Sequence, residues 1–332
     1  MSPHLSRRRF IGVTAAAAGL GLVPFGLAAM ADAHLVTWHG QAMGAVATLQ
    51  VHHHDRAVAV RLVERSLAEV RRLEAVFSLY REDAALVALN RHGILVAPPP
   101  DLVALLAECR RCWELTQGAF DPTVQALWTL YRDHFSRPDA DPSGPPAPAL
   151  REALDRVGFG PVAFDANRIV LPRRGMGLTL NGIAQGYVTD RVVDILRAGG
   201  IESSLVDMGE PRAVGSRPSG EPWRVGVADP EHPELVGDVL EATDRAVATS
   251  GAYGFHFDRD GRFNHLLDPR TGTSGRLYRS VTVLLPTATA ADALSTAFSL
   301  LPPEDIRHTI QRLGEGQVHL LTVSGDAVML QA

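Results

Sequence analysis

Asn181-Gly182-Ile183-Ala184-Gln185-Gly186-Tyr187-Val188-Thr189-Asp190 opens a helix that the apolar spacing carries from Gly182 to Leu196 and that stops at Gly199-Gly200. Four strands are expected after it with no helix between them: Ser203–Val206, Trp223–Val227, Val236–Leu240 and Ala246–Thr249. Strands in direct succession meander, whereas a doubly wound sheet needs a helix at each crossover. The chain therefore reads as α+β, with antiparallel or mixed sheets packed against helices. Toward the C-terminus the expected elements are a strand at Ser280–Leu285, a helix carrying Asp292, a helix at Glu304–Leu313 and a hairpin of Val318–Val323 with Val328–Leu330. Toward the N-terminus they are a hairpin from Leu35 to His52 broken at Gln41-Ala42-Met43-Gly44, then helices at Asp55–Phe77, Asp83–Asn90, Leu102–Thr116, Thr123–Tyr131 and Ala149–Val157. Val162–Leu171 and Gly177–Leu180 are expected as strands.

Composition bounds what this fold does. Of 332 residues, 46% are hydrophobic and 21% charged, which suits a folded body with length for one large domain or two modest ones. Arg137 to Pro148 holds five prolines. It is read as an insertion loop in a single domain spanning 34–332, because the motifs on its two sides need to meet. The formal charge of −5 argues against a general nucleic-acid footprint. All 32 basic residues are Arg, and the absence of Lys excludes a Schiff-base lysine and a P-loop lysine.

Residues 1–33 read as an address. Ser6-Arg7-Arg8-Arg9-Phe10-Ile11-Gly12 looks like a twin-arginine export signal, followed by an apolar run to about Met30 and small-x-small cleavage candidates at Ala29-Met30-Ala31 and Ala31-Asp32-Ala33. The expectation is a periplasmic protein. An uncleaved signal would instead anchor it in the inner membrane, the one membrane contact expected. Cys109 and Cys112 fall in a helical pattern and read as structural thiols, or as a disulfide formed after export.

Asp292 and Thr296 are four residues apart in a helical stretch, which stacks a carboxylate and a hydroxyl on one face. Two hard oxygen donors so placed suit magnesium, which completes its shell with water and phosphate. The competing reading is a first helical turn, where Asp favours the positive end of the dipole and Thr is an ordinary exposed residue.

The motifs form an ordered series. Phe77-Ser78-Leu79-Tyr80 is followed by Gly118-Ala119-Phe120-Asp121-Pro122-Thr123-Val124, the Asn181–Asp190 stretch, Asp207-Met208-Gly209, Pro222–Pro230, Thr249-Ser250-Gly251, His265-Leu266-Leu267-Asp268-Pro269-Arg270-Thr271-Gly272 and Asp292–Thr296. From about Met43 to Ala297 this series resembles the ApbE family, the FAD:protein FMN transferases. The resemblance implies a T-fold-like core and an enzyme that binds FAD with Mg2+. It moves FMN onto a Thr or Ser hydroxyl of a partner protein and releases AMP. The implied partners are FAD and a client flavoprotein of a membrane electron-transfer system. Two alternatives use the same residues: an FAD pyrophosphatase, in which water replaces the hydroxyl, and a non-catalytic periplasmic FAD-binding protein.

The resemblance also implies roles. Asp292, Thr296 and the backbone carbonyl of Gly182 match the metal ligands. Met43, Tyr80, Ala119, Phe120, Asp121, Thr179, Gln185 and Leu266 match FAD contacts. Asp121 precedes Pro122 at a helix start, so an N-cap is its competing role. His265 and Asp268 are the candidates for the proton acceptor. Asp268 can instead pin the turn that follows it, and Arg270 can meet phosphate or hold that turn by an ion pair. The chain departs from the family at Gln185, where Lys is usual, and at Thr179, where Asp is usual. It carries Gly209-Glu210-Pro211 in place of Gly-Gly-Asp, with Glu210 a candidate to take over a polar contact.

Overall fold

The computed structural model describes residues 34–332, so the export signal lies outside the described residues. The first hairpin pairs β1 (Leu35–Ala42) with β2 (Ala45–His52) in full antiparallel register, turning at Met43-Gly44. Burial along β2 alternates residue by residue, the signature of a strand with one face on a core. Helix α1 (Arg56–Phe77) starts at Asp55, whose carboxylate accepts the amides of Ala57 at 2.8 Å and Val58 at 3.2 Å. Its buried residues recur at helical spacing from Ala59 through Leu62, Ser66, Val70 and Leu73 to Phe77. Then come α2 (Ala85–His92), β3 (Ile94–Val96), α3 (Pro100–Leu115), a 3₁₀ turn (Pro122–Val124), α4 (Gln125–Phe135) and α5 (Ala147–Leu154). Short strands β4 (Ala163–Phe164) and β5 (Arg168–Val170) precede α6 (Ala184–Ala198).

After α6 the chain runs β6 (Ser203–Asp207), β7 (Pro211–Val214), β8 (Trp223–Ala228), β9 (Val236–Ala242), β10 (Ala246–Gly251) and β11 (Tyr278–Leu285). It ends with α7 (Ala288–Phe298), α8 (Pro303–Leu313), β12 (Gln317–Thr322) and β13 (Ala327–Gln331). Eight strands make one sheet in the order β1-β2-β6-β7-β10-β11-β12-β13, antiparallel at every pairing. The fold is therefore α+β, as the strand succession after α6 requires. The main core lies between this sheet and α1, α6 and α7. The β8–β9 ribbon is a separate two-stranded sheet, and Trp223 and Val225 cover Ala213, Val247 and Leu284 of the large one.

Three expectations about elements change. Val162–Leu171 is a hairpin rather than one strand, because the Asp165 carboxylate captures the amides of Asn167 (2.7 Å) and Arg168 (2.9 Å) and turns the chain. Gly177–Leu180 forms no strand. The Asn90 side chain brackets Leu178, accepting from its N–H at 2.7 Å and donating to its carbonyl at 2.8 Å, and Thr179 N–H goes to Pro122. The segment's backbone is thus satisfied without a neighbouring strand. The strand β7, opened by Pro211, carried no alternation to betray it, since all four of its residues are buried. Cys109 and Cys112 lie unbridged in the core on α3.

Candidate active site

Helices α6 and α7 cross at Gly186. A Cβ there would stand 2.2 Å from the carbonyl oxygen of Ala288, so only glycine allows this approach. Asp190, one turn further along α6, clamps the crossing. Its carboxylate accepts from Ala288 N–H and Thr289 N–H, each at 2.9 Å, and from the Thr289 hydroxyl at 2.6 Å. It also accepts from the Arg212 guanidinium at 2.5 Å. The acid of one helix thus caps the other and neutralises a buried Arg. In return, Asp292 of α7 accepts the N–H of Gly186 at 3.0 Å, placing a carboxylate at the positive end of α6.

This crossing brings the candidate cation ligands together. A Cβ on Gly182 would meet the Thr296 hydroxyl at 2.9 Å, so the Gly182 backbone lies directly against that side chain. Ser250, at the end of β10, links to Ser295 at 2.8 Å and to Thr296 at 3.4 Å. Thr179, Gly182, Gln185, His265, Leu266, Asp292 and Thr296 all line one cleft, together with Asn181, Glu210, Thr249, Tyr253 and Trp128. The cleft is open to solvent at its mouth and mixes apolar with polar lining residues, the composition of a small-molecule site. Asp292 lies in the second turn of α7 and is 4% exposed, so the reading of a first-turn surface Asp does not apply.

The electrostatics are one-sided. No Arg borders the cleft, and two carboxylates do. Burial pushes Asp292 up to about 7, partly offset by the Gly186 N–H. Burial also pushes Glu210 well above its ordinary value, with Asp292 and then Asp207 adding repulsion. Asp207 rises to about 7 through burial. The amide nitrogen of Gln185 is buried with no hydrogen-bond partner, a costly state that a ligand acceptor in the cleft would relieve. Among the described residues no three of His, Cys, Asp and Glu converge as a metal cluster. The donor set is carboxylate, hydroxyl and main-chain oxygen, which fits a hard cation that also takes water and phosphate oxygens. An anionic diphosphate beside these carboxylates needs such a cation.

His265 borders the cleft with Nδ1 3.3 Å from the Phe255 carbonyl. A carbonyl only accepts, so Nδ1 carries the proton and Nε2 is the acceptor nitrogen. Burial lowers its pKa to about 4 and keeps the ring neutral. Asp268 takes the other of its two roles. Its carboxylate accepts from Arg270 N–H (2.8 Å), Nε (2.9 Å) and Nη2 (2.8 Å), it holds the turn, and it does not border the cleft. Arg270, which also donates to the Leu300 carbonyl, forms the turn's ion pair with Asp268.

The remaining candidates sit apart from the wall. Tyr80 is 62% exposed, and its hydroxyl bonds Asn181, beside Gly182. Met43 is held in the β1–β2 turn by its N–H to Glu74 at 2.7 Å. Ala119 and Phe120 are core residues. Asp121 is the N-cap: it accepts from Thr123 N–H (2.8 Å), Phe159 N–H (2.9 Å), Trp113 Nε1 (3.2 Å) and the Thr123 hydroxyl, which uses up its acceptor capacity. Sequence reasoning did not single out Trp128, Tyr253 or Asn181 as cleft residues. Tyr253 follows the Thr249-Ser250-Gly251 motif by two residues. Nothing in its helical spacing marks Trp128.

The ApbE family model matches residues 43–320. The FAD:protein FMN transferase of Treponema pallidum (strain Nichols) is 33% identical over 289 residues, covering 78% of this chain and 76% of that protein. The FAD:protein FMN transferase of Vibrio cholerae serotype O1 is 32% identical over 250 residues, covering 73% of each. Among solved structures, the ApbE protein of Thermotoga maritima superposes with a TM-score of 0.76 at 30% identity, over 89% of this chain and 97% of that one. The apo flavinyl transferase ApbE of Pseudomonas stutzeri gives 0.73 at 26%, over 90% and 95%.

Proposed function

The chain belongs to the ApbE family and is an FAD:protein FMN transferase, and from that premise we propose that it works in the periplasm, with magnesium, on a Thr or Ser hydroxyl of a client flavoprotein, releasing AMP. The supporting observation is the cleft itself: Thr296 stands against the Gly182 backbone, Asp292 lines the same wall, and no cationic side chain borders it. Magnesium held by these three residues would neutralise the diphosphate and polarise its oxygens. Gln185 supplies an unpartnered N–H to the bound nucleotide, in place of the charge of the family's usual lysine. The client hydroxyl oxygen attacks the phosphorus on the FMN side, the pyrophosphate bond breaks, and AMP leaves with the other phosphorus. The hydroxyl proton passes to Nε2 of His265, whose other nitrogen is tied to Phe255.

Residues 34–332 then act as one catalytic domain, with 1–33 as the export signal. The client is the flavin-carrying, outward-facing domain of a membrane electron-transfer protein. The test is mass spectrometry of such a domain after incubation with this protein, FAD and Mg2+. Covalent FMN on a Thr or Ser with equimolar AMP supports the reading. Free FMN plus AMP, with or without the client, makes the protein an FAD pyrophosphatase, and neither product makes it a carrier.

A further inference from the structure

On the reading that Asp292, Thr296 and Gly182 hold a cation, we propose that Ser250 is a positioning residue for it. A one-way chain of hydroxyl hydrogen bonds, from Thr296 to Ser250 to Ser295 to the Asp292 carbonyl, draws the Thr296 proton aside and leaves that oxygen's lone pairs to the metal. The direction follows from counting protons. The Ser295 hydroxyl donates to the Asp292 carbonyl at 2.9 Å, and a carbonyl only accepts. A hydroxyl has one proton, so Ser295 accepts the 2.8 Å bond from Ser250. Ser250 then has only lone pairs to offer Thr296, 3.4 Å away, and Thr296 is the donor.

The chain is fixed along its length. Ser250 pairs with Val281 in the β10–β11 ladder. At the next residue, Gly251, a Cβ would stand 2.1 Å from the Tyr253 ring. Ser295 is 1% exposed, so water does not compete for its hydroxyl. Ser250 and Thr296 border the cleft, and Ser295 lies behind them. Thr296 has no other side-chain hydrogen bond among the described residues. A cation on Thr296 Oγ1 withdraws charge from its O–H and makes it a stronger donor. The long bond to Ser250 therefore tightens as the metal enters and adds to its affinity, as partners of metal ligands commonly do. Without Ser250 the Thr296 proton has no acceptor and can swing toward the cation.

The test is titration of the folded protein with Mn2+ and no nucleotide, free Mn2+ being counted by electron paramagnetic resonance. Mn2+ takes the same oxygen donors as Mg2+. Ser250→Ala is expected to weaken Mn2+ about tenfold. Ser250→Thr, which keeps the hydroxyl, should bind within about threefold of wild type. Ser295→Ala breaks the chain one link further on and should also weaken Mn2+. The double alanine variant should be no weaker than Ser250→Ala, because Ser295 acts only through Ser250. Wild-type affinity in either alanine variant, equal losses in Ser250→Ala and Ser250→Thr, or losses that multiply in the double variant would each overturn the chain. Weakened FAD binding at unchanged Mn2+ affinity would make Ser250 a nucleotide contact and overturn it too. A wild-type protein that binds no Mn2+ would sink the magnesium reading itself, a result distinct from normal wild-type binding that is indifferent to Ser250.

Discussion

Asp292 concentrates the chemistry of the cleft in one side chain. Its folded pKa of about 7 lies above the ordinary 3.8 because burial disfavours the charged form. The sign follows from that: the metal-free protein has its full stability below the ordinary value and loses some as pH rises through about 7. Asp292→Asn keeps an acceptor for Gly186 N–H and removes the charge. We expect the metal-free variant to be more stable than wild type at pH 8, by roughly 1–3 kcal/mol, with the gap closing toward pH 4. Magnesium-dependent AMP release should be lost. Urea titrations at both pH values and an AMP assay check this, and wild-type AMP release by the variant would reject the cation assignment. His265 titrates the opposite way. Its pKa is lowered from 6.5 to about 4, so it contributes stability above pH 6.5 that is lost as pH falls toward 4. His265→Gln should flatten that acid-side loss, worth roughly 1–3 kcal/mol. An unchanged stability slope between pH 7 and 4.5 would mean the ring is not buried neutral.

The active element is the crossing of α6 and α7, and it depends on small contacts. Gly186→Ala puts a Cβ 2.2 Å from Ala288 O and 2.8 Å from Thr289 N. Both are backbone atoms of residues whose N–H groups Asp190 holds, so the helices must part rather than a rotamer shift. We expect a loss of about 3 kcal/mol or more, at or above the usual overpacking cost, together with weakened Mg2+-dependent FAD binding, because Gly182 moves from Thr296. Thermal melting and FAD titration test this. A variant melting within about 2 °C of wild type would show that the crossing is not close-packed. The spacing of Asp292 and Thr296 was legible in the sequence, since four residues on a helix always share a face. The partner surface of Gly182 was not, because residues over a hundred positions apart meet only when the sheet folds α7 onto α6. Asp268 illustrates the same gap: its sequence surroundings permitted a catalytic or a turn-holding role, and the Arg270 contacts assign the second.

For the molecule as a whole, the proposed twin-arginine start would set where it acts. No helix among the described residues is long and apolar enough to cross a membrane. If Arg7-Arg8 directs export, replacing both with Ala should hold the protein in the cytoplasm with its N-terminus intact, as fractionation and intact mass would show. Export of that variant at the normal level would remove the basis for a periplasmic client. The whole fold also predicts ligand linkage. FAD and Mg2+ together should raise the melting temperature more than the sum of their separate effects, because each supplies the charge the other needs in an acidic cleft.

Local chemistry along the chain determined the elements and the family. Apolar periodicity placed the helices, the succession of strands after α6 pointed to an α+β fold with antiparallel or mixed sheets, and eight ordered motifs carried the resemblance. These signals survive in one dimension because helix and strand periods, caps and turns are short-range. Only the tertiary structure decided which polar residues face the cleft and which are spent on the fold. Asp121 and Asp268 turned out to be satisfied by neighbouring donors, while Gln185, Glu210 and Trp128 were left on its wall. Whether a side chain is satisfied depends on which donors and how much low-dielectric protein surround it, and those neighbours come from distant parts of the chain.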